Sequence, residues 1–445
     1  MRIKPFKATV LNSAYWNMDK DISNQTFYFI TYVDGKFCVD TLKESLKYVV
    51  KEVPFIACRL VNGFWRDKWV AVDNFSTDHL VRTINIDTTT EESFYEEAYS
   101  RFLKMKDKRL NLEVEPPFKI LVFQSKATQN KVVVFCSHHS LSDPRGSGYF
   151  IRRIGEHYNA LQKGTATELK KNCYTLPKLI FSYGVLNSFR ELINTPKIDI
   201  NSFYRMMDMD YHPENRNSEE TIERLIIGKE ELGRLKTFCK EYGLTLDGLV
   251  MLYALRIIRK YNERLEVPCS KACLSVGIDL RKHIKGDVLK ISNYAGRDYY
   301  PVEISDADNI SKFAKDLKDF KEKQQGIGSV MPFVILSILP IAMQKKMWRS
   351  SFGTALREWT LRTIVTTNMG RLDEFVIPFG DCVKDVSIVM ASAYCGLPLI
   401  SASGFKDSMT VYFTKFNDKD RLCQKVKSDF NALLQEVVCE SRIMN

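Results

Sequence analysis

The sequence predicts a mixed α/β protein built as two lobes, and three observations carry that reading. Runs of β-branched and aromatic residues, each of strand length, recur in both halves between stretches of helical periodicity. From Gly164 to about Glu220 the periodicity fails, interrupted by Pro177, Pro196 and Pro213, as expected of a crossover between lobes. The chain has 445 residues, 45% apolar and 27% charged, so it can bury a large core; disordered, collagen-like and low-complexity classes are excluded. The expected division is an N-terminal lobe over 1–175, a crossover over 176–220 and a C-terminal lobe over 221–445.

The elements follow in order. Thr26–Val33 reads as a strand ending at the turn signal Asp34-Gly35. Asp40 and Thr41 open a helix, with Thr41-x-x-Glu44 as a candidate capping box, Leu42, Leu46, Val49 and Val50 on one face, and Pro54 after its end. Phe64–Val72 reads as a strand and Glu91–Lys106 as a helix. Phe118–Phe123 and Lys131–Cys136 flank the polar stretch Gln124–Asn130 as a hairpin. Gly148–Lys163 carries Phe150, Ile151, Ile154, Tyr158 and Leu161 at amphipathic helical spacing. Beyond the crossover come a strand at Thr221–Ile227 and helices at Lys229–Tyr242, Thr245–Tyr261 and Ile310–Gln324. Further strands are expected at Lys271–Ile278, Tyr299–Ile304, Thr363–Thr367, Val386–Ala391 and Met409–Phe413, with a last helix from about Asp418 to Val438.

Charge narrows the partners. Lysine plus arginine number 65 against 54 acidic residues, for a net +11. This suits an anionic partner such as a phosphate-bearing co-substrate, an acidic protein or a membrane surface. No basic run of five residues occurs, so nucleic acid is not expected. Eleven scattered cysteines without a Cys-x-x-Cys pair point to a reducing, cytoplasmic setting. Cys269 and Cys273 lack a second ligand pair, so no metal is expected. Met1–Lys20 lacks the apolar core of a signal peptide, and the apolar run Met331–Met343, broken by Pro332 and Pro340, is too short to span a bilayer.

One stretch carries chemistry. The apolar strand Val132–Cys136 leads through Ser137 into His138-His139, with Asp143 four residues later and then Pro144-Arg145-Gly146 before a helix. Neutral imidazole, with an ordinary pKa of about 6.5, can take a proton from an attacking alcohol or amine near pH 7. A strand end holds such a group on a rigid element. The plainer alternative is that these are ordinary strand-end and cap groups. Gly-x-Gly-x-x-Gly, P-loop and Gly-x-Ser-x-Gly patterns are absent, which leaves nicotinamide, nucleotide-hydrolysing and serine-hydrolase readings without support.

Ser137–Gly146 resembles the His-His-x-x-x-Asp-Gly signature of the condensation-domain and acyl-CoA-dependent acyltransferase superfamily. Three further segments are similar to elements of that superfamily, in the same order: Ser275–Arg281, which holds Asp279-Leu280-Arg281; Ile291–Gly296, which holds Asn293; and Thr367-Asn368-Met-Gly370-Arg371, similar to an element of its alcohol acetyltransferase branch. The resemblance implies a two-lobed chloramphenicol-acetyltransferase-like fold with a tunnel between the lobes. It implies His139 as general base, His138 as a neighbour shaping the loop, and Asp143 paired with an arginine, Arg281 ahead of Arg371, so as to lock the loop. Asn368 and Ser140 are candidate substrate or oxyanion contacts. Asn368 has a turn or strand-end role as its plainer alternative.

The implied reaction is direct acyl transfer from a thioester, on coenzyme A or an acyl carrier protein, to a small and possibly lipidic alcohol. No permanently bound cofactor is implied. Amide formation by a free-standing condensation enzyme, or a silent family member that binds a carrier protein, are the alternatives. The departure from the signature is Pro144 where the family has glycine; it removes a backbone N–H and fixes φ. Ser329–Met343, followed by Lys345-Lys346-x-Trp348-Arg349, is either an apolar element with a basic edge meeting lipid or membrane, or a core helix with a solvated end. Arg205–Asp210, with Met206, Met207 and Met209, lies over a channel mouth or packs within the crossover.

Overall fold

The computed structural model describes the chain apart from residues 1–2, 22–23, 107–108, 174, 195–198, 200–202, 204–219, 265, 324–325, 350–361, 391–396, 417, 419 and 444–445. Its strands are β1 (Phe6–Lys7), β2 (Thr26–Val33), β3 (Cys58–Val61), β4 (Lys68–Ala71), β5 (Val81–Ile86), β6 (Phe118–Ser125), β7 (Lys131–His138), β8 (Glu220–Ile227), β9 (Lys271–Asp279), β10 (Ala295–Glu303), β11 (Thr363–Arg371), β12 (Val383–Val389), β13 (Leu399–Phe405) and β14 (Ser408–Phe416). The longer helices are α1 (Val10–Asp21), α2 (Val39–Glu52), α3 (Glu91–Lys106), α4 (Pro144–Gln162), α5 (Leu176–Tyr183), α6 (Val185–Asn194), α7 (Lys229–Glu241), α8 (Leu246–Asn262), α9 (Ile310–Lys323), α10 (Ile327–Leu336), α11 (Ile341–Arg349) and, at the C-terminus, Leu422–Ile443.

Two mixed sheets organise these elements. The first runs β12-β2-β7-β6-β5 and the second β10-β9-β11-β13-β14-β8; a small sheet, β1-β4-β3, flanks the first. β2 shows why the first sheet sits inside the molecule. Phe27, Phe29 and Val33 point into one apolar cluster with α2 and α4, while Tyr28, Ile30 and Tyr32 point into another with α3. Side chains alternate along a strand, so a run that is apolar at every position must be covered on both faces. β7 repeats the pattern with Val133 and Phe135 on one side and Val132, Val134 and Cys136 on the other. In the second sheet, the cluster around α7, α8, α9 and the C-terminal helix covers one face.

The two halves are stitched together. β12, from the expected C-terminal lobe, pairs antiparallel with β2 and forms an edge of the N-terminal sheet. Tyr412 on β14 bonds to Ser387 on β12 at 2.9 Å, and the buried Lys106 ammonium of α3 donates to the Glu220 carbonyl of β8 at 2.8 Å. Cut at residue 220, the expected lobes therefore do not coincide with the sheets.

Several local expectations change. α2 starts at Val39 behind Cys38, which makes no side-chain cap, so the Thr41–Glu44 box does not form. The Phe64–Val72 strand shrinks to Lys68–Ala71: Gly63, Phe64 and Trp65 form the turn between β3 and β4, where a Cβ on Gly63 would stand 1.9 Å from the Arg66 carbonyl. β13, not anticipated, bridges β11 and β14. α4 begins four residues earlier than expected, with Pro144 as its first residue. The apolar run Met331–Met343 is divided between α10 and α11. Arg205–Asp210 lies outside the described residues.

Candidate functional site around His139

β7 delivers the paired histidines to its C-terminal end, where β2 fixes their positions. Thr26 is the register partner of His138, and the His139 N–H donates to the Gln25 carbonyl at 2.9 Å. The His139 ring stacks on Tyr15 of α1, with ring centroids 4.5 Å apart, and meets the edge of Phe27 at 4.9 Å. From the other half of the chain, the Asn293 side-chain amide donates to the His139 carbonyl at 2.7 Å. The backbone and one ring face of His139 are thus held by separate elements.

Electrostatics keep this ring neutral. Burial pushes its pKa down to about 4; Asp143 and Asn293 pull the other way, and His138 and Arg297 add to the depression. His139 Nδ1 and Asn293 Oδ1 are both buried without a hydrogen-bond partner.

His138 faces the other way. Its ring is fully buried, and Nδ1 accepts from the Ser140 N–H at 2.9 Å, which places the ring proton on Nε2, 3.6 Å from Asp19. Burial would raise the Asp19 carboxyl, but His138, the Gln25 N–H and Arg109 outweigh it and hold the pKa below the usual range. His138 therefore bonds to the loop from inside, through the Ser140 N–H.

The loop that follows is locked by Asp143. This buried carboxylate caps α4 by accepting from the Gly146 N–H at 2.8 Å. It also accepts from the Tyr294 N–H at 2.6 Å and from Arg281 Nη2 at 2.9 and 3.0 Å. Arg281 is held in turn, donating to the carbonyls of Ser292 at 2.6 Å and Lys290 at 2.9 Å and to Asp279 at 3.1 Å. Arg371, the rival, pairs with Asp373 at the surface.

Pro144 has a simple place in this geometry. It is the first residue of α4, where the helix has no use for an N–H and φ near −65° is already required. The glycine that cannot change is Gly146: a Cβ there would lie 2.6 Å from Arg281 Nη2 and 2.7 Å from the Ser292 carbonyl.

The two remaining candidates are engaged locally. Ser140 donates its hydroxyl to the Asn12 carbonyl at 3.0 Å, and its own carbonyl accepts from the Asn12 amide at 2.6 Å. With its N–H bound to His138, Ser140 pins the loop to α1. Asn368 accepts from the Gly370 N–H at 2.8 Å beside an irregularity in β11, the turn role that was its plainer alternative. Sequence reasoning assigned no role to Tyr15, Asn12, Gln25 or Asn293. Only Asn293 carried a signal, through the Ile291–Gly296 segment. A cleft of about 330 Å³ elsewhere, between α3 and β8, is lined by Tyr32, Tyr95, Tyr99 and Arg224 and by no residue of the histidine loop.

Residues 14–175, which contain β2, β7, the histidine loop and α4, match the condensation-domain family. The first condensation domain of the CDA synthetase superposes with a TM-score of 0.68 at 13% identity, covering 98% of this chain and 97% of that one. The chain has the condensation-domain fold. Polyketide synthase associated protein 5 from Mycobacterium tuberculosis shares the fold with a TM-score of 0.61 at 14% identity, covering 97% of this chain and 98% of its own. The epimerization domain from the third module of tyrocidine synthetase B shares it with a TM-score of 0.63 at 11% identity, covering 99% and 98%. No curated protein matches the sequence significantly. Within this condensation fold, three contacts from the C-terminal half, made by Arg281, Asn293 and Tyr294, hold a loop that begins in the N-terminal sheet.

Proposed function

We propose that this protein transfers an acyl group from a thioester, on coenzyme A or an acyl carrier protein, to a hydroxyl acceptor, with His139 as general base. The observation that carries the reading is the setting of His139: its ring stacks on Tyr15, its backbone is held by the Gln25 carbonyl and the Asn293 amide, and burial keeps the imidazole neutral. Asn293 Oδ1 is the group to accept a hydrogen bond from Nδ1–H, which leaves the Nε2 lone pair as the base. The acceptor O–H loses its proton to Nε2 while its oxygen attacks the thioester carbonyl. The tetrahedral intermediate collapses with cleavage of the C–S bond, and the thiolate leaves as thiol after taking the proton back from the imidazolium. Asp143 and Arg281 act as positioning residues. The net charge of +11 suits either anionic donor. Donor and acceptor would enter from opposite sides of the seam between the halves.

The likeness to synthetase condensation domains favours a second reading, in which the acceptor is an amine and the product an amide. The local role of Asn368 removes one reason for preferring the ester. A panel of acyl-CoA and carrier-bound thioesters, each offered mixed alcohols and amines, separates these readings by mass spectrometry of the products. An ester that disappears in His139→Ala supports the leading proposal, and an amide that does so supports the second. Product formation undiminished in His139→Ala overturns the general-base assignment. No product from any pair moves the protein to a silent binding role.

A further inference from the structure

Of sixteen large apolar side chains exposed among the described residues, eleven gather on three adjoining pieces of chain. These are α5 with α6, α10 with α11, and the turn between β3 and β4. They touch one another. α10 packs on both α5 and α6, the Ile341 N–H donates to the Trp65 carbonyl at 3.2 Å, and Lys345 of α11 reaches Asn62 at 2.6 Å. On α6, Leu186, Phe189 and Ile193 share one helical face, with Leu186 85% and Ile193 79% exposed, while Ser188 is buried. Phe64, at the tip of the turn, is 89% exposed. Monomeric proteins rarely leave so much contiguous apolar surface uncovered without a use for it.

The charges on the same pieces are one-sided. Residues 62–67, 176–194 and 327–349 contain six lysines and arginines and two carboxylates, Glu191 and Asp67. Asp67 is buried and pairs with Lys345 at 3.5 Å. Glu191 is already engaged, accepting from the Tyr183 hydroxyl and from the Gly328 N–H at 3.2 Å. Among the described residues no helix is long and apolar enough to cross a membrane, so an apolar surface with basic residues around it can meet a bilayer only from the side.

We propose that this face docks the protein onto an anionic lipid bilayer, with Phe64, Trp65, Leu186, Phe189 and Ile193 entering the interface and the exposed Lys178, Arg190 and Lys346 facing the headgroups. The face adjoins the histidine site. The Arg297 N–H donates to Ser329 of α10 at 3.0 Å, and the charge of Arg297 is felt at His139. If the acyl-transfer reading holds, the docked protein presents His139 on the side from which a membrane-dissolved apolar alcohol would arrive. The docking itself does not depend on that reading.

Co-sedimentation of the full chain with vesicles of phosphatidylcholine, alone or mixed with phosphatidylglycerol, tests the proposal. Binding to the mixed vesicles that weakens with added salt is expected. It should fall about tenfold or more in Leu186→Asp/Ile193→Asp and in Phe64→Asp/Trp65→Asp, two pairs on separate elements, so that a folding defect in one leaves the other informative. Val267→Asp, at an exposed apolar position elsewhere, should bind as the parent does. Absence of vesicle binding overturns the proposal, as does binding that both folded double variants retain. Sedimentation equilibrium showing self-association that the same variants abolish, without vesicle binding, would assign the face to a second copy of the chain.

Discussion

Removing the Arg281 guanidinium should loosen the histidine loop through one identifiable pair. The Asp143 and Arg281 side chains are 3% and 5% exposed, and Arg281→Ala leaves a buried carboxylate with only the Gly146 and Tyr294 N–H groups. It also strands the carbonyls of Ser292 and Lys290. Breaking one side of a buried pair costs about 3–5 kcal/mol. Asp143→Ala should cost a similar amount, because it leaves the guanidinium without that carboxylate and deletes the cap of α4, worth about 1 kcal/mol. In Arg281→Ala/Asp143→Ala neither charge is left unpaired, so the double variant should be more stable than the sum of the losses predicts, by about 2–3 kcal/mol. Urea unfolding followed by tryptophan fluorescence on the four proteins of the cycle measures this coupling. Losses that add to within about 0.5 kcal/mol would refute the argument that this pair locks the loop.

Three further outcomes follow from the same geometry. Gly146→Ala should lose about 1–3 kcal/mol of stability in the same assay, together with most activity, because its Cβ must displace Arg281 or the Ser292 carbonyl. The acid limb of the activity–pH profile should lie near pH 4, not near the ordinary imidazole value: the depressed pKa keeps His139 unprotonated down to that point, and activity falls only below it. Glu52, whose side chain is 1% exposed, is raised by burial but held at about 2 by His157, Arg153 and the Lys170 N–H. Its folded pKa is below the unfolded one, so its contribution of about 3 kcal/mol is complete above pH 4.5 and fades as pH falls toward 2. Acid unfolding of Glu52→Gln, compared with the parent, should show that part of the pH dependence removed.

The sequence makes the first sheet and the helices packed on it legible because their signals are local. β2 and β7 are apolar at nearly every position, and the periodicity of α3 and α8 places them within a residue of the structure. The start of α4 was misjudged because apolar spacing says nothing about a cap; Asp143 followed by proline was the better sign. The Arg281 pairing could be named only through the family resemblance, since 138 residues separate it from Asp143 and no local rule joins them. Asn293 and Tyr15 carry no special residue chemistry, and only the folded chain shows that they grip His139. Phe64 and Trp65 read as strand because strands favour aromatic residues, yet Gly63 turns the chain there and leaves both exposed.

The pairing of β12 with β2 also sets the timing of assembly. While the chain is being made, β2 waits through about 350 residues for its outer neighbour, roughly 20–70 s at 5–20 residues per second. Throughout that interval an aromatic, β-branched strand keeps one row of backbone donors and acceptors open to whatever else is nearby. The N-terminal sheet becomes safe only once Val383–Val389 has been made and has paired with β2. A fragment ending at residue 175 would keep that edge open indefinitely and should aggregate, whereas supplying 380–390 as a separate peptide should rescue it.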